Sequence, residues 1–193
     1  MNQYSYSSLD TGKESIRLFR LHPSEDEEAD IQCEIFDYTL DSSKGAHLYE
    51  ALSYVWGDQR HTKPIFIGDN QQAEVTLNLH AALKCLRNHT LPRVLWVDAI
   101  CINQADEKEK QQQIQHMAKI YNEATRVIVW LGEMANGSNE AIQYINLAAQ
   151  NGRAGWQGMQ KHQSAVLSLL QRPWFKRVWV RIWSMKKSKK YLC

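Results

Sequence analysis

The sequence predicts an α/β fold with a largely parallel central sheet flanked by helices and an antiparallel N-terminal edge. Three observations carry this reading. Three apolar runs, "YEALSYVWGD" at 49–58, "RVLWVDAICINQ" at 93–104 and "RVIVWLGE" at 126–133, each hold a Trp and each run into Gly or Asp. Helical patterns separate and follow them, and strand–helix alternation is the signature of parallel strands, which need a crossover rather than a tight turn. Ahead of them, "SIRLFRL" (15–21) and "IQCEIFDYTL" (31–40) alternate apolar and polar residues like half-buried strands, with the acidic "SEDEEAD" between them as a solvated loop.

The remaining elements follow in chain order. "KPIFIG" and "QAEVTL" flank Gly68, Asp69 and Asn70, which predicts a hairpin. In "NLHAALKCLRNH" (78–89), Leu79, Ala82, Leu83 and Leu86 fall at helical spacing before Pro92. Asp106, with Glu109 three residues on, resembles a capping box, and Ile114, Met117, Ala118, Tyr121 and Ala124 predict the apolar stripe of the helix that follows. A further helical pattern runs from about Ser138 through Ala141, Ile142, Ile145 and Ala149. The glycine-rich "NGRAGWQGMQK" (151–161) predicts a loop, "SAVLSLLQ" a short helix, and Pro173 a helical turn in "RPWFKRVWV".

Composition narrows the function classes. At 193 residues, 44% hydrophobic and 23% charged, the chain fits one globular domain with tails. No apolar run approaches the ~18 residues of a membrane-spanning helix, and "MNQYSYSSLDTGKE" has no secretory succession, so an intracellular, cytoplasmic chain is expected. Cys33, Cys85, Cys101 and Cys193 show no zinc-type spacing, which predicts reduced thiols, no disulfide and no structural metal. A net charge of +2 is too small for a phosphate-tracking surface, so no nucleic-acid partner is expected, and the basic "KKSKK" (186–190) reads as a solvated tail. Signatures of dinucleotide dehydrogenases, P-loops, nucleophile elbows and zincins are absent. Cys101 would need a His within reach to act as a nucleophile, and a buried thiol after a strand is the simpler reading.

In open parallel sheets ligands bind beyond the carboxyl ends of the strands. Tyr54, Trp56, Gly57, Asp58, Asp98, Asn103 and Gln104 fall at such ends and form the candidate pocket. Gly57 permits a turn that a Cβ would hinder, the two acids accept hydroxyl or amide hydrogens, and the indoles offer a stacking wall. Each residue also has an ordinary explanation: tryptophans as core, Gly57 as a strand end, acids as helix caps.

"YEALSYVWGD", "LWVDAICINQADEKEKQQQIQHMAKIYNEATRVIVWLG" and "RPWFKRVWV", in this order and at these separations, resemble the heterokaryon incompatibility (HET) domain of filamentous fungi. The resemblance divides the chain into 1–46 (edge strands and acidic loop), 47–180 (HET domain) and 181–193 (basic tail). It implies an effector of allorecognition, the self/non-self discrimination between fungal individuals, that triggers programmed cell death. A more distant, fold-level similarity to Toll/interleukin-receptor (TIR) domains implies a flavodoxin-like sheet, with NAD as ligand or substrate cleaved at the nicotinamide bond.

The resemblance breaks at its end. Arg172, Trp174, Phe175, Arg177, Trp179 and Val180 keep the family's pattern, but Arg181, Ile182 and Trp183 stand where it continues with a variable residue, Gln and Glu. Under the TIR similarity that Glu is the candidate catalytic carboxylate, since an oxocarbenium-like transition state requires a nearby negative group. Glu133 and Glu140 are weaker candidate acids. The abrupt basic tail suggests a truncated copy of a longer protein. Three functions are therefore expected candidates: an impaired or regulatory effector domain, an NAD glycohydrolase with a displaced acid, and a non-enzymatic module binding itself, full-length homologues or HET/NLR-like proteins.

Overall fold

A computed structural model describes residues 2–10, 14–40, 47–151, 159–176 and 190–192. Arg177, Trp179, Val180, Arg181, Ile182, Trp183 and most of the basic tail lie outside the described residues, as does the 152–158 part of the expected glycine-rich loop. The described residues form two compact units, one running to Trp130 and including 190–191, the other beginning at Leu131.

The first unit is built on β1 (Asn2–Gln3), β2 (Ser15–Leu21), β3 (Gln32–Thr39), β4 (Glu50–Ser53), the hairpin β5 (Thr62–Ile67) and β6 (Gln71–Thr76), and α1 (Leu77–Leu86). It continues with β7 (Arg93–Trp96), α2 (Asp98–Cys101), α3 (Glu107–Glu123) and β8 (Arg126–Val129). The second unit holds α4 (Ser138–Asn151), α5 (Met159–Leu170) and a 3-10 turn at Pro173–Lys176; a short β9 (Lys190–Leu192) comes last in the chain. Among the described residues one sheet has the order β1-β6-β5-β3-β2-β7-β4-β8-β9. The chain is of the α/β class, its mostly parallel sheet containing antiparallel parts. β4 pairs in parallel with both β7 and β8, while β2 runs antiparallel to β3 and β7.

The antiparallel N-terminal strands adjoin the parallel core. Beyond them the sheet runs on, because β3 pairs in parallel with β5 and the hairpin adds β6 and β1. This inward placement changes the burial of β2. It is buried at every position except Arg20 rather than half-buried, with Arg17 among the buried residues.

α1 starts where Thr76 Oγ1 accepts the Leu79 N–H at 3.3 Å, and it buries Leu79, Ala82, Leu83 and Leu86. α3 starts at Asp106, whose Oδ1 accepts the N–H groups of Lys108 (2.9 Å) and Glu109 (3.1 Å), a cap worth about 1 kcal/mol. The expected stripe on α3 is rotated. Gln113, Ile120 and Tyr121 are buried, whereas Ile114 and Ala118 are exposed. Gln113 takes the inward position because its Nε2 donates to the Ser15 carbonyl at 2.8 Å, closing a buried polar group of β2 that an apolar side chain would leave open.

In the second unit, α4 and α5 approach closely at Gly137, where an added Cβ would stand 3.3 Å from Ala165 Cβ. α5 begins at Met159, inside the stretch expected to be loop, so the short helix expected from "SAVLSLLQ" is longer at its start. Among the described residues no helix is long and apolar enough to cross a membrane.

Candidate functional site

The carboxyl ends of β4, β7 and β8 are joined by side chains. Trp56, just past β4, donates its Nε1–H to Asp98 Oδ2 at 3.0 Å, so the exit of β4 is tied to the exit of β7. Asp98 opens α2, and its Oδ1 also accepts the Ala99 N–H at 2.8 Å. Gln104 Nε2 donates to the Asp98 carbonyl at 2.9 Å, folding the loop after α2 back onto the same residue. The backbone adds a direct link, because the Trp130 N–H donates to the Ser53 carbonyl at 2.9 Å.

Asn78, on the first turn of α1, was not a residue the sequence singled out. Its Nδ2 donates to the Val55 carbonyl at 2.6 Å and its Oδ1 accepts the Trp130 indole N–H at 2.9 Å, so one amide clamps the exits of β4 and β8. An Asn near a helix start is too common to signal this role. The signal lay in the neighbouring glycine: Gly57 has φ +78, and a Cβ there would come within 3.3 Å of Asn78 Cβ.

Within the first unit, Asp58 and Asn103 are engaged in their own loops. Tyr54 is buried core. Asp58 is exposed and engaged within its own loop, forked by Arg60 through Nε (2.9 Å) and Nη2 (2.8 Å) and contacting His61 Nδ1 at 3.2 Å. The Arg60 guanidinium holds the Asp58 carboxyl well below the usual carboxylate range. Asn103 belongs to the start of α3, where its N–H donates to Glu109 Oε1 at 2.8 Å and its Oδ1 accepts the Ala105 N–H at 3.2 Å. Glu133 and Glu140 are exposed residues of the second unit. Arg172 donates there to the carbonyls of Leu131 (2.9 Å), Gly132 (3.2 Å), Glu133 (3.1 Å) and Ala135 (3.2 Å).

Behind the cluster lies a buried ion pair. Arg17 on β2 meets Glu109 of α3 through Nη1 (2.6 Å) and Nη2 (3.0 Å), and also donates to the carbonyls of Cys101 and Ser7. The Tyr6 ring lies 4.9 Å from the guanidinium carbon, and the Tyr6 hydroxyl donates to the Ile100 carbonyl at 2.8 Å. Glu109 thus serves Arg17 and Asn103, not the N–H of its own cap residue. Cys101 is buried, with burial pushing its thiol up to about 12, so it stays protonated and is no nucleophile at neutral pH. Among the described residues no three His, Cys, Asp or Glu side chains lie close enough to hold a metal ion.

Chemically, the strand-end cluster offers a half-buried indole and a half-buried carboxylate side by side, a stacking face next to a hydroxyl acceptor. Residues 49–181 match the family model described as Heterokaryon incompatibility protein (HET). Heterokaryon incompatibility protein 6, OR allele, of Neurospora crassa is 36% identical over 158 residues, a match covering 75% of this chain and 23% of that protein. The chain therefore spans less than a quarter of the length of that curated relative. No solved structure matches.

Proposed function

The chain belongs to the heterokaryon incompatibility (HET) family, and from that premise we propose that residues 47–180 form an effector domain of fungal allorecognition whose action is programmed cell death. Its family supports an incompatibility-type function in a fungus. The observation that carries the proposal is the match across 49–181, together with the Neurospora relative's name. We further propose that this copy is impaired, because Ile182 and Trp183 stand where the resemblance has Gln and Glu.

Inducing the chain in cells of a filamentous fungus, beside an Ile182→Gln/Trp183→Glu variant, tests both statements. The unmodified chain is expected to leave viability nearly intact and the variant to lower it. Strong killing by the unmodified chain would refute impairment, and two harmless proteins would refute the effector reading.

A second reading, NAD cleavage, is favoured by the pairing of Trp56 with Asp98 at the strand ends. The Trp56 ring would stack on the nicotinamide or adenine, and Asp98 would accept a ribose hydroxyl while the Trp56 N–H keeps its carboxylate oriented. Losing a central catalytic group typically costs several powers of ten in rate, so nicotinamide release by the unmodified chain is expected to be near background and to rise in the double variant. Equal release from both would remove residues 182 and 183 from the chemistry. In a third reading the domain acts without catalysis, by assembling with itself or with HET/NLR-like proteins.

A further inference from the structure

Tyr38, His47 and Glu123 meet at the amino end of β4, away from the strand-end cluster. His47 lies just ahead of β4 and is 4% exposed. Its Nδ1 is 2.5 Å from the Tyr38 hydroxyl, near the end of β3, and its Nε2 is 2.8 Å from Glu123 Oε2, at the end of α3. The second contact is one of charge rather than of hydrogen-bond alignment. A carboxylate at that distance still holds the ring proton on the nearer nitrogen, which leaves Nδ1 to accept the Tyr38 O–H. The surrounding backbone is tied down. Thr125 Oγ1 donates to the His47 carbonyl at 2.7 Å, the Thr125 N–H donates to the Tyr49 carbonyl at 2.8 Å, and the Tyr49 hydroxyl donates to the Ile120 carbonyl at 2.5 Å.

A hydroxyl, an imidazole placed to take its proton and a carboxylate that orients the imidazole are the parts of a base-activated nucleophile. The burial is graded to suit: His47 is enclosed, whereas Tyr38 is half-exposed and can be approached from solvent. Burial and the nearby Glu123 push the Tyr38 phenol up, so at neutral pH it keeps its proton and needs a base in order to react. The local charges select the electrophile. Lys119 is spent on Glu14 and Glu123, so it is not free to hold the charge of a phosphoryl group, and an uncharged acyl carbon is the better match.

We propose that Tyr38 is a nucleophile that accepts an acyl group from an uncharged, activated ester, with His47 as its general base and Glu123 as the residue that positions His47. The Tyr38 oxygen attacks the carbonyl carbon and forms the new C–O bond while its proton passes to His47 Nδ1. The C–O bond of the donor ester then breaks, and the leaving oxygen departs with the electron pair and takes the proton back from His47. The product is itself an aryl ester, so the leaving group must be no more basic than the phenol. The site lies at the other end of β4 from the Trp56–Asp98 cluster, and the inference stands apart from the functional reading above.

The test exposes the full chain to p-nitrophenyl acetate and follows acetylation of each tyrosine over time by peptide mass spectrometry. Tyr38 is expected to be acetylated first among the eight tyrosines, and more slowly in heavy water, because a proton moves in the step. Glu123→Gln should slow Tyr38 about a hundredfold, since an amide can donate to Nε2, turn the ring proton onto Nδ1 and block the base. Acetylation of the other tyrosines, a measure of the fold, should not change in that variant, and the heavy-water comparison needs no variant at all. p-Nitrophenyl phosphate should leave Tyr38 unmodified. Acetylation of Tyr38 no faster than of the other tyrosines, an equal rate in heavy water, an equal rate in the folded Glu123→Gln chain, or phosphorylation of Tyr38 would each overturn the proposal.

Discussion

Trp56 and Asp98 lie 42 positions apart, and one indole N–H makes them partners. The sequence brought both to strand ends through the Trp, Gly and Asp that close each apolar run, but it could not distinguish a pair bonded to each other from two groups facing a ligand. Gly57 was legible for a backbone reason, since its φ of +78 is a region that L residues resist. Gly57→Val should lower stability by about 1–3 kcal/mol in urea unfolding, and Gly57→Ala should share most of that loss because the dihedral, not the side-chain size, sets it. The cysteines give a second residue-scale expectation. Burial pushes the Cys33 and Cys101 thiols from 9.0 up to about 12, so the folded state favours their neutral forms. Their contribution to stability is complete below about pH 9 and is lost as pH rises toward 12. At pH 8, iodoacetamide should modify exposed Cys85 quickly and leave Cys33 and Cys101 untouched until urea is added, as read by mass spectrometry. Fast modification of Cys101 in the folded chain would contradict its burial.

At the scale of elements, the buried face of α1 was readable to the residue, though the helix ends at Leu86 rather than running on to 89, because its buried set is purely apolar, and a period of 3.6 then has one solution. On α3 the apolar pattern misled. Gln113 is drawn inward by the Ser15 carbonyl, a demand of the neighbouring strand that no pattern within the helix records. Gln113→Leu should therefore be destabilising although it adds an apolar residue to a buried site, by about 1–3 kcal/mol for the carbonyl left without its donor. The same logic applies to Arg172, whose motif was legible but whose job was not. Its fork gathers four carbonyls of the 131–135 segment. Arg172→Lys should fail to restore what Arg172→Ala loses, because a point charge cannot span them. Hydrogen exchange of the amides around 131–138 should rise in both variants, and protection retained in the Lys variant would contradict the fork's role.

For the molecule as a whole, the neighbourhood of β7, β4 and β8 followed from βαβ connectivity, since consecutive units pack side by side. The insertion of β2 and β3 inside the sheet did not, because it depends on the pairing of Gln32 with Phe66 and Cys33 with Ile67, contacts between residues too distant for local patterns to encode. The resulting sheet is held at the carboxyl ends of its parallel strands by Trp56 with Asp98 and by Asn78 with Trp130, and this tie is what gives the candidate site a fixed shape. A double-mutant cycle in urea unfolding, using Trp56→Phe and Asp98→Ala singly and together, measures that tie most directly. The single changes should each destabilise the chain, and the cycle should return a favourable coupling of about 1.5–3 kcal/mol, the range for a hydrogen bond to a charged group. Additive losses, with coupling near zero, would contradict the claim that these two residues hold the strand ends together.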